Sequence, residues 1–176
     1  MNKILIVVDM QNDFVDGALG SDEALAIVDN VVEKIRNFDG KIFVTRDTHD
    51  ENYLDILEGQ NLPVEHCIKG SDGWKLNSDV EKALEGKDYV IVEKPTFGSL
   101  KLVELISGFA DLDDLEIELV GLCTDICVVS NALLLKVNFY EVPISVDASA
   151  CAGVSPQAHD AALSTMKSCH INVIGE

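Results

Sequence analysis

The sequence predicts a three-layer α/β/α domain, residues 1–176, built on a six-stranded, mostly parallel, Rossmann-like sheet. Three observations carry this prediction. Short runs rich in Val and Ile recur along the chain, apolar on both faces, as strands covered by helices on either side must be. Helical patterns fill the intervals between them, which gives the alternation of βαβ units. No repeat, low-complexity tract or linker divides the chain.

The first run, residues 4–8 (ILIVV), is a buried strand closed by Asp9. A helix over residues 22–37 follows, then a strand over 41–45. Residues 47–75 are the least regular part and hold His49, His66 and the single tryptophan, Trp74. A long connection of this kind inside a compact domain is more often functional than idle. A helix over 78–84 leads to a strand over 89–92, and a helix over 99–109 to a strand over 117–120. Residues 125–136 read as a helix that is apolar on almost every side. The fifth strand covers 144–146. Ser155-Pro156, a capping hydroxyl followed by proline at the first helical position, starts a helix over 156–168. The last strand is 171–174.

The balance of 31 acidic against 13 basic side chains gives a net charge of −18. Nucleic acid and anionic membrane both demand clustered Lys and Arg, so neither is expected as a partner. No run approaches the ~20 apolar residues of a membrane span, and ILIVV is too short for a signal-peptide core. Five cysteines, an odd number without scaffold spacing, suit a reducing cytoplasm. Homo-oligomerisation is left open.

In open α/β sheets ligands bind outside the carboxyl ends of the strands. The residues expected there are Asp9, Asp47 with His49, Lys94, Cys123 with Cys127, and Asp147. An acid, a base, a thiol and two metal-ligand types would converge on one rim. The stretch ELVGLCTDICVVSNALLLK places Cys123 and Cys127 where a strand hands over to a helix. Their C-x-x-x-C spacing fits neither the redox motif nor the usual zinc knuckle, which weakens a disulfide or metal pair without removing it. With Thr124 as helix cap, Cys127 falls in the first turn, where free N–H groups and the dipole favour a thiolate. A free thiol titrates near ~8.5, and Lys94 would help to lower that. The competing reading is that Cys127 merely fills the core, as buried cysteines often do.

Lys94 precedes Pro95, which holds it extended at a strand end. A lysine there usually escapes to solvent. One kept inside would pair with a buried Asp9, and an acid–lysine pair beside a thiol is an arrangement for proton transfer. Asp47, His49 and His66 suit a divalent metal, zinc first, with iron or manganese as alternatives. His159 and His170 are expected to have ordinary structural roles.

Here the chain resembles the isochorismatase-like cysteine hydrolases, and among them the nicotinamidases, over essentially its whole length. VVDMQNDF resembles the opening strand, with Asp9 in the position of the catalytic acid and Phe14 near the substrate. VEKPTFGSL places Lys94 as the catalytic lysine, and VGLCTDICVVSNAL places Cys127 as the attacking thiol. RDTHD and EHCIKGSDG are similar to the metal-ligand segments, giving Asp47, His49 and His66. The resemblance implies a cis peptide at Leu122–Cys123 and an oxyanion hole from the Cys123 and Cys127 N–H groups. It implies hydrolysis of a small amide through a thioester, nicotinamide first. Other amides, carbamoyl compounds and ureido acids stay open, because NLPVEH lacks the aromatic residue that nicotinamidases commonly carry before the second metal histidine. Trp74 is the residue expected to take its place in the pocket. A thiol redox or metal-sensing protein using Cys123 and Cys127 is the non-catalytic alternative.

Overall fold

The structure is a computed structural model and describes residues 2–109 and 114–176. Six strands form one sheet: β1 (Asn2–Val8), β2 (Lys41–Asp47), β3 (Tyr89–Lys94), β4 (Leu115–Leu122), β5 (Ile144–Ala152) and β6 (Asn172–Ile174). Their order is β3-β2-β1-β4-β5-β6, and every pairing is parallel, so the sheet is more regular than the mostly parallel one expected.

Alternation along β1 shows how the layers are made. Ile4, Ile6 and Val8 enter the core on one face, under α6 (Leu100–Phe109), α7 (Val129–Asn138) and α8 (Pro156–Ser168). Leu5 and Val7 enter the core on the other, under α2 (Asp22–Ala26), α3 (Val28–Asn37) and α5 (Ser78–Leu84). All five side chains are completely buried, each stabilising the fold by roughly 1.5–3 kcal/mol. Two shorter helices, α1 (Asn12–Val15) and α4 (Leu57–Asn61), lie in the connections after β1 and β2. None of the helices among the described residues is long and apolar enough to cross a membrane.

The helix expected over 22–37 is two helices. Ile27 sits at φ −88°, ψ −9°, short of helical ψ, which interrupts the hydrogen-bond pattern between α2 and α3. The apolar stripe stays continuous through Ala24, Ile27, Val28, Val31 and Ile35. Ser21 caps α2 by accepting from the Ala24 N–H, and Ser155 caps α8 by accepting from the Ala158 N–H, as Ser155-Pro156 predicts.

β5 runs well beyond the expected 144–146. Asp147 therefore lies within the strand and not at its end, and its carboxylate is paired with Lys34 at 2.7 Å. It plays no part in the rim chemistry expected of it. Its polarity hides the strand from an apolar count.

The strand order reverses direction between β1 and β4, and the crevice beyond their carboxyl ends is where such sheets bind ligands. Gly121 lets the backbones close there. Its φ is +117°, and a Cβ would lie 2.1 Å from the Val8 carbonyl oxygen.

Candidate active site

β1 ends at Val8, and Asp9 leaves the strand in a left-handed conformation, φ 47°. Its N–H donates to the Thr45 carbonyl and hydroxyl oxygens, while the Thr45 hydroxyl donates to Asp9 Oδ1 at 2.7 Å. The other oxygen, Oδ2, faces Lys94 Nζ at 2.6 Å as an ion pair without aligned hydrogen-bond geometry. Lys94 ends β3 and is 1% exposed, so it does not escape to solvent. Its ammonium donates to the Thr96 carbonyl at 3.0 Å and stands 3.4 Å from Asp47 Oδ1 and 3.5 Å from Cys127 Sγ. Asp9, Lys94 and Cys127 therefore meet.

The electrostatics differ from the sequence expectation. Burial pushes the Cys127 thiol up and Asp9 adds to this; Lys94 only partly counters, and the net direction is well above the ordinary value. Asp9 is also raised, by burial more than Lys94 lowers it. Burial would lower Lys94, but its anionic neighbours, Asp9 foremost, outweigh this and keep it an ammonium. The direction is toward a thiol beside the Asp9–Lys94 pair and away from a preformed thiolate.

The corner after β4 has the implied cis peptide at Leu122–Cys123. It leads into a π-helical turn, Thr124–Val128, in which Ile126 and Val128 N–H both donate to the Cys123 carbonyl. Thr124 does not cap this turn. Its hydroxyl pairs with His159 Nδ1 at 2.8 Å, which gives His159 the structural role expected of it. Asp125 Oδ1 accepts from the Val154 N–H, and a Cβ on the neighbouring Gly153 would come within 2.8 Å of that oxygen. The buried amide of Asn131 donates to the Cys127 and Phe97 carbonyls and accepts from the Ser99 N–H. It joins the Cys127 peptide to the segment after Lys94. His170 is exposed in the turn after α8.

Asp47, His49 and His66 come together, and Glu58 from α4 joins them. His49 Nε2 lies 2.9 Å from Asp47 Oδ2 and 3.6 Å from Glu58 Oε1; His66 Nε2 lies 3.5 Å and 3.8 Å from the same two oxygens. Ligands at ~2.05 Å around a tetrahedral zinc are about 3.3 Å apart, and the four donor atoms here lie within 4.8 Å of one another, so the set would contract on holding one. His66 Nδ1 pairs with the Val64 carbonyl at 2.8 Å, which fixes the ring with Nε2 inward. Tyr53 packs against both imidazoles, at 4.8 and 4.9 Å between ring centroids. Three carboxylates, Asp9, Asp47 and Glu58, face one ammonium here, and a divalent cation would offset the excess. Burial and Asp47 raise Glu58, while hydrogen bonds from His49 and His66 and the charge of Lys94 overcome burial and hold Asp47 well below the usual range.

A cavity of about 380 Å³, within the range of small-molecule sites, opens over Cys127 and reaches Asp47 and Glu58. Phe14, Leu62, Phe97, Cys123, Ile126 and Val154 form apolar walls, and among the described residues no Lys or Arg lines it. Phe14 lies 5.5 Å from His66, ring to ring. Trp74 does not line the cavity. Its indole N–H donates to the Thr48 hydroxyl and its face carries the Arg46 guanidinium at 3.6 Å, which turns the ring away. Leu62, from the segment lacking an aromatic residue, supplies an aliphatic wall. Phe97 and Glu58 are the site residues that sequence reasoning missed. Phe97 stood in the quoted VEKPTFGSL, whereas Glu58 had no local signal.

The chain matches the isochorismatase domain family over residues 3–175. It is 32% identical over 144 residues to an uncharacterised isochorismatase family protein of Bacillus subtilis, covering 76% of this chain and 78% of that protein. It is 27% identical to a nicotinamidase of Schizosaccharomyces pombe, over 98% of this chain and 92% of the relative. Among solved structures, a nicotinamidase/pyrazinamidase of Bacillus subtilis has a TM-score of 0.85 at 28% identity, covering 99% of this chain and 100% of that one. A pyrazinamidase of Pyrococcus horikoshii in complex with zinc has a TM-score of 0.83 at 28% identity, covering 100% of both.

Proposed function

The chain belongs to the isochorismatase family, and from that premise we propose a nicotinamidase-like cysteine hydrolase that cleaves the C–N bond of a small neutral amide, nicotinamide first. The observation that carries this reading is the contact of Cys127, on the lining of an apolar cavity, with Lys94 buried behind it, and of Lys94 with Asp9.

In the proposed reaction Cys127 gives its proton to Asp9 as the sulfur attacks the amide carbonyl. The C–S bond forms, and the Cys123 and Cys127 N–H groups take the charge on oxygen. Collapse breaks the C–N bond while Asp9 passes its proton to the departing nitrogen, so ammonia leaves and a thioester remains. Asp9 then takes a proton from a water molecule that attacks the thioester. The acid departs, and the proton returns to the Cys127 sulfur. Lys94 stays an ammonium throughout. It stabilises sulfur when that atom bears charge, a demand raised by the burial that disfavours thiolate at rest. Asp47, His49, Glu58 and His66 would hold a divalent ion, zinc first, whose chemistry is Lewis-acid orientation of a ring nitrogen of the substrate.

The absence of Lys and Arg among the described residues that line the cavity favours a neutral amide over a carboxylate-bearing ureido acid. The nicotinamidase relatives give the thiol redox alternative no better support. We read residues 1–176 as a single domain suited to a reducing cytoplasm. The test is ammonia release from nicotinamide, pyrazinamide and aliphatic amides, with wild type and Cys127→Ala. Turnover of an aromatic amide, lost in the variant, is expected. No turnover of any amide by wild type, or retained turnover in Cys127→Ala, overturns the reading.

A further inference from the structure

Gln11, three residues beyond β1, is completely buried, and the reaction above does not use it. Its place follows from a mismatch in strand length. The β1–β2 ladder ends at the pair Val8 and Thr45, where Asp9 turns away in its left-handed conformation. β2 continues through Arg46 to Asp47, and its other edge still pairs with β3 as far as Lys94. On the β1 side the N–H and C=O of Asp47 are left without a strand partner. Buried and unpaired, both groups would destabilise the fold.

The Gln11 side chain fills that gap. Its Oε1 accepts from the Asp47 N–H at 2.7 Å, and its Nε2 donates to the Asp47 carbonyl at 2.8 Å and the Trp74 carbonyl at 2.9 Å. A primary amide carries a donor and an acceptor side by side, as a peptide group does, so Gln11 acts as one unit of missing strand. Both donor hydrogens are used, and all three partners are main chain.

We propose that Gln11 is a positioning residue for Asp47, holding that peptide so that the carboxylate is presented to the metal cluster with Oδ2 toward His49 and His66. The inference rests on the metal reading above. It ties the metal ligand to the segment that carries Asp9, two residues before Gln11. The register between the proton-transfer group and the metal cluster is then set by one buried amide. Asp13, two residues further on, acts in parallel by accepting the Cys67 N–H at 2.7 Å, next to His66.

The test is Zn²⁺ affinity of the full chain, measured by competition with a chromophoric chelator. Gln11→Met removes all three bonds. Gln11→Asn keeps the polar group but is one methylene too short to reach both sides of Asp47, and secures the test should the first variant not fold. Either is expected to bind Zn²⁺ about 10–100-fold more weakly, with a shifted visible spectrum of the Co²⁺-loaded protein. Asn131→Leu removes three bonds of a comparable buried amide and should lose stability while leaving Zn²⁺ affinity within about threefold of wild type. Wild-type uptake with unchanged affinity and Co²⁺ spectrum in a folded Gln11 variant overturns this inference alone. An equal loss in Asn131→Leu does the same, because it reduces the effect to general destabilisation. Wild type that takes up neither ion overturns the metal reading and this inference with it.

Discussion

Replacing Lys94 with methionine keeps the volume and the apolar stem and removes the one ammonium at the site. At an effective dielectric constant of ~20, unit charges 2.6 and 3.4 Å apart attract by about 6 and 5 kcal/mol, the separations of Nζ from Asp9 and Asp47. Against that loss stands the relief from burying an ammonium, several kcal/mol. The net cost of breaking such a pair from one side is about 3–5 kcal/mol, because Asp9 is left buried and uncompensated. With a urea m-value of about 2 kcal/mol/M, the unfolding midpoint should fall by roughly 1.5–2.5 M. The assay is urea unfolding in excess chelator, so that bound metal does not mask the effect. Asp9→Asn combined with Lys94→Met should cost less than the sum of the two single changes. The deficit of Lys94→Met should also shrink as pH falls. Asp9 is already raised in the fold and loses its cation in the variant, so protonation favours the folded state; that stability is present at low pH and lost as pH rises through the folded value. A midpoint shift below about 0.5 M, or single-variant costs that add within about 0.5 kcal/mol, would refute the reasoning.

Three further outcomes are expected. Cys123→Ala should release ammonia within a few-fold of wild type, any change falling on KM, because its main chain is assigned the oxyanion role and its thiol, pushed up to about 12, stays neutral in the cavity wall; loss as complete as in Cys127→Ala would contradict this. Glu58→Gln should weaken Zn²⁺ binding by about tenfold or more in chelator competition while the fold stays intact, since it removes one of four donors; unchanged affinity would exclude Glu58 as a ligand. Asp147 is pushed up by burial, but Lys34 and Ser149 outweigh this and hold it below its ordinary value. Its contribution to stability should be present above the usual carboxylate range and lost as pH falls through the lowered folded value. Asp147→Asn should therefore flatten the dependence of the urea midpoint on acid pH, and an unchanged slope would count against the ion pair.

The sheet was legible because its strand centres are apolar on both faces, a signal that needs no tertiary information. Strand ends were not, since the partners that make polar residues acceptable there are remote: Asp147 in β5 depends on Lys34 from α3. Asp9, Lys94 and Cys127 could be placed because each sits at the end of a strand or the start of a helix, and the rim follows from topology. Glu58 was invisible, because only the path of the 47–75 connection brings α4 against the imidazoles. The direction of the Cys127 shift is hidden from the sequence for a related reason. Sequence shows that a thiol lies in the first turn of a helix, but not that it is only 6% exposed. Proximity in sequence points Trp74 to the pocket, but Arg46 of β2 stacks on its ring and holds it elsewhere.

Asn131 grips the carbonyl of Cys127 and the main chain of Phe97 and Ser99, and these hydrogen bonds all go to main-chain atoms. Such a clamp is indifferent to which residue occupies position 97. The wall of the cavity can be rewritten there, aromatic for aliphatic or large for small, while the peptide that carries the sulfur stays in place. Substrate preference and reaction chemistry are thus separable traits in this scaffold, and a library varied at Phe97 should yield new selectivities at little cost to the hydrolytic step.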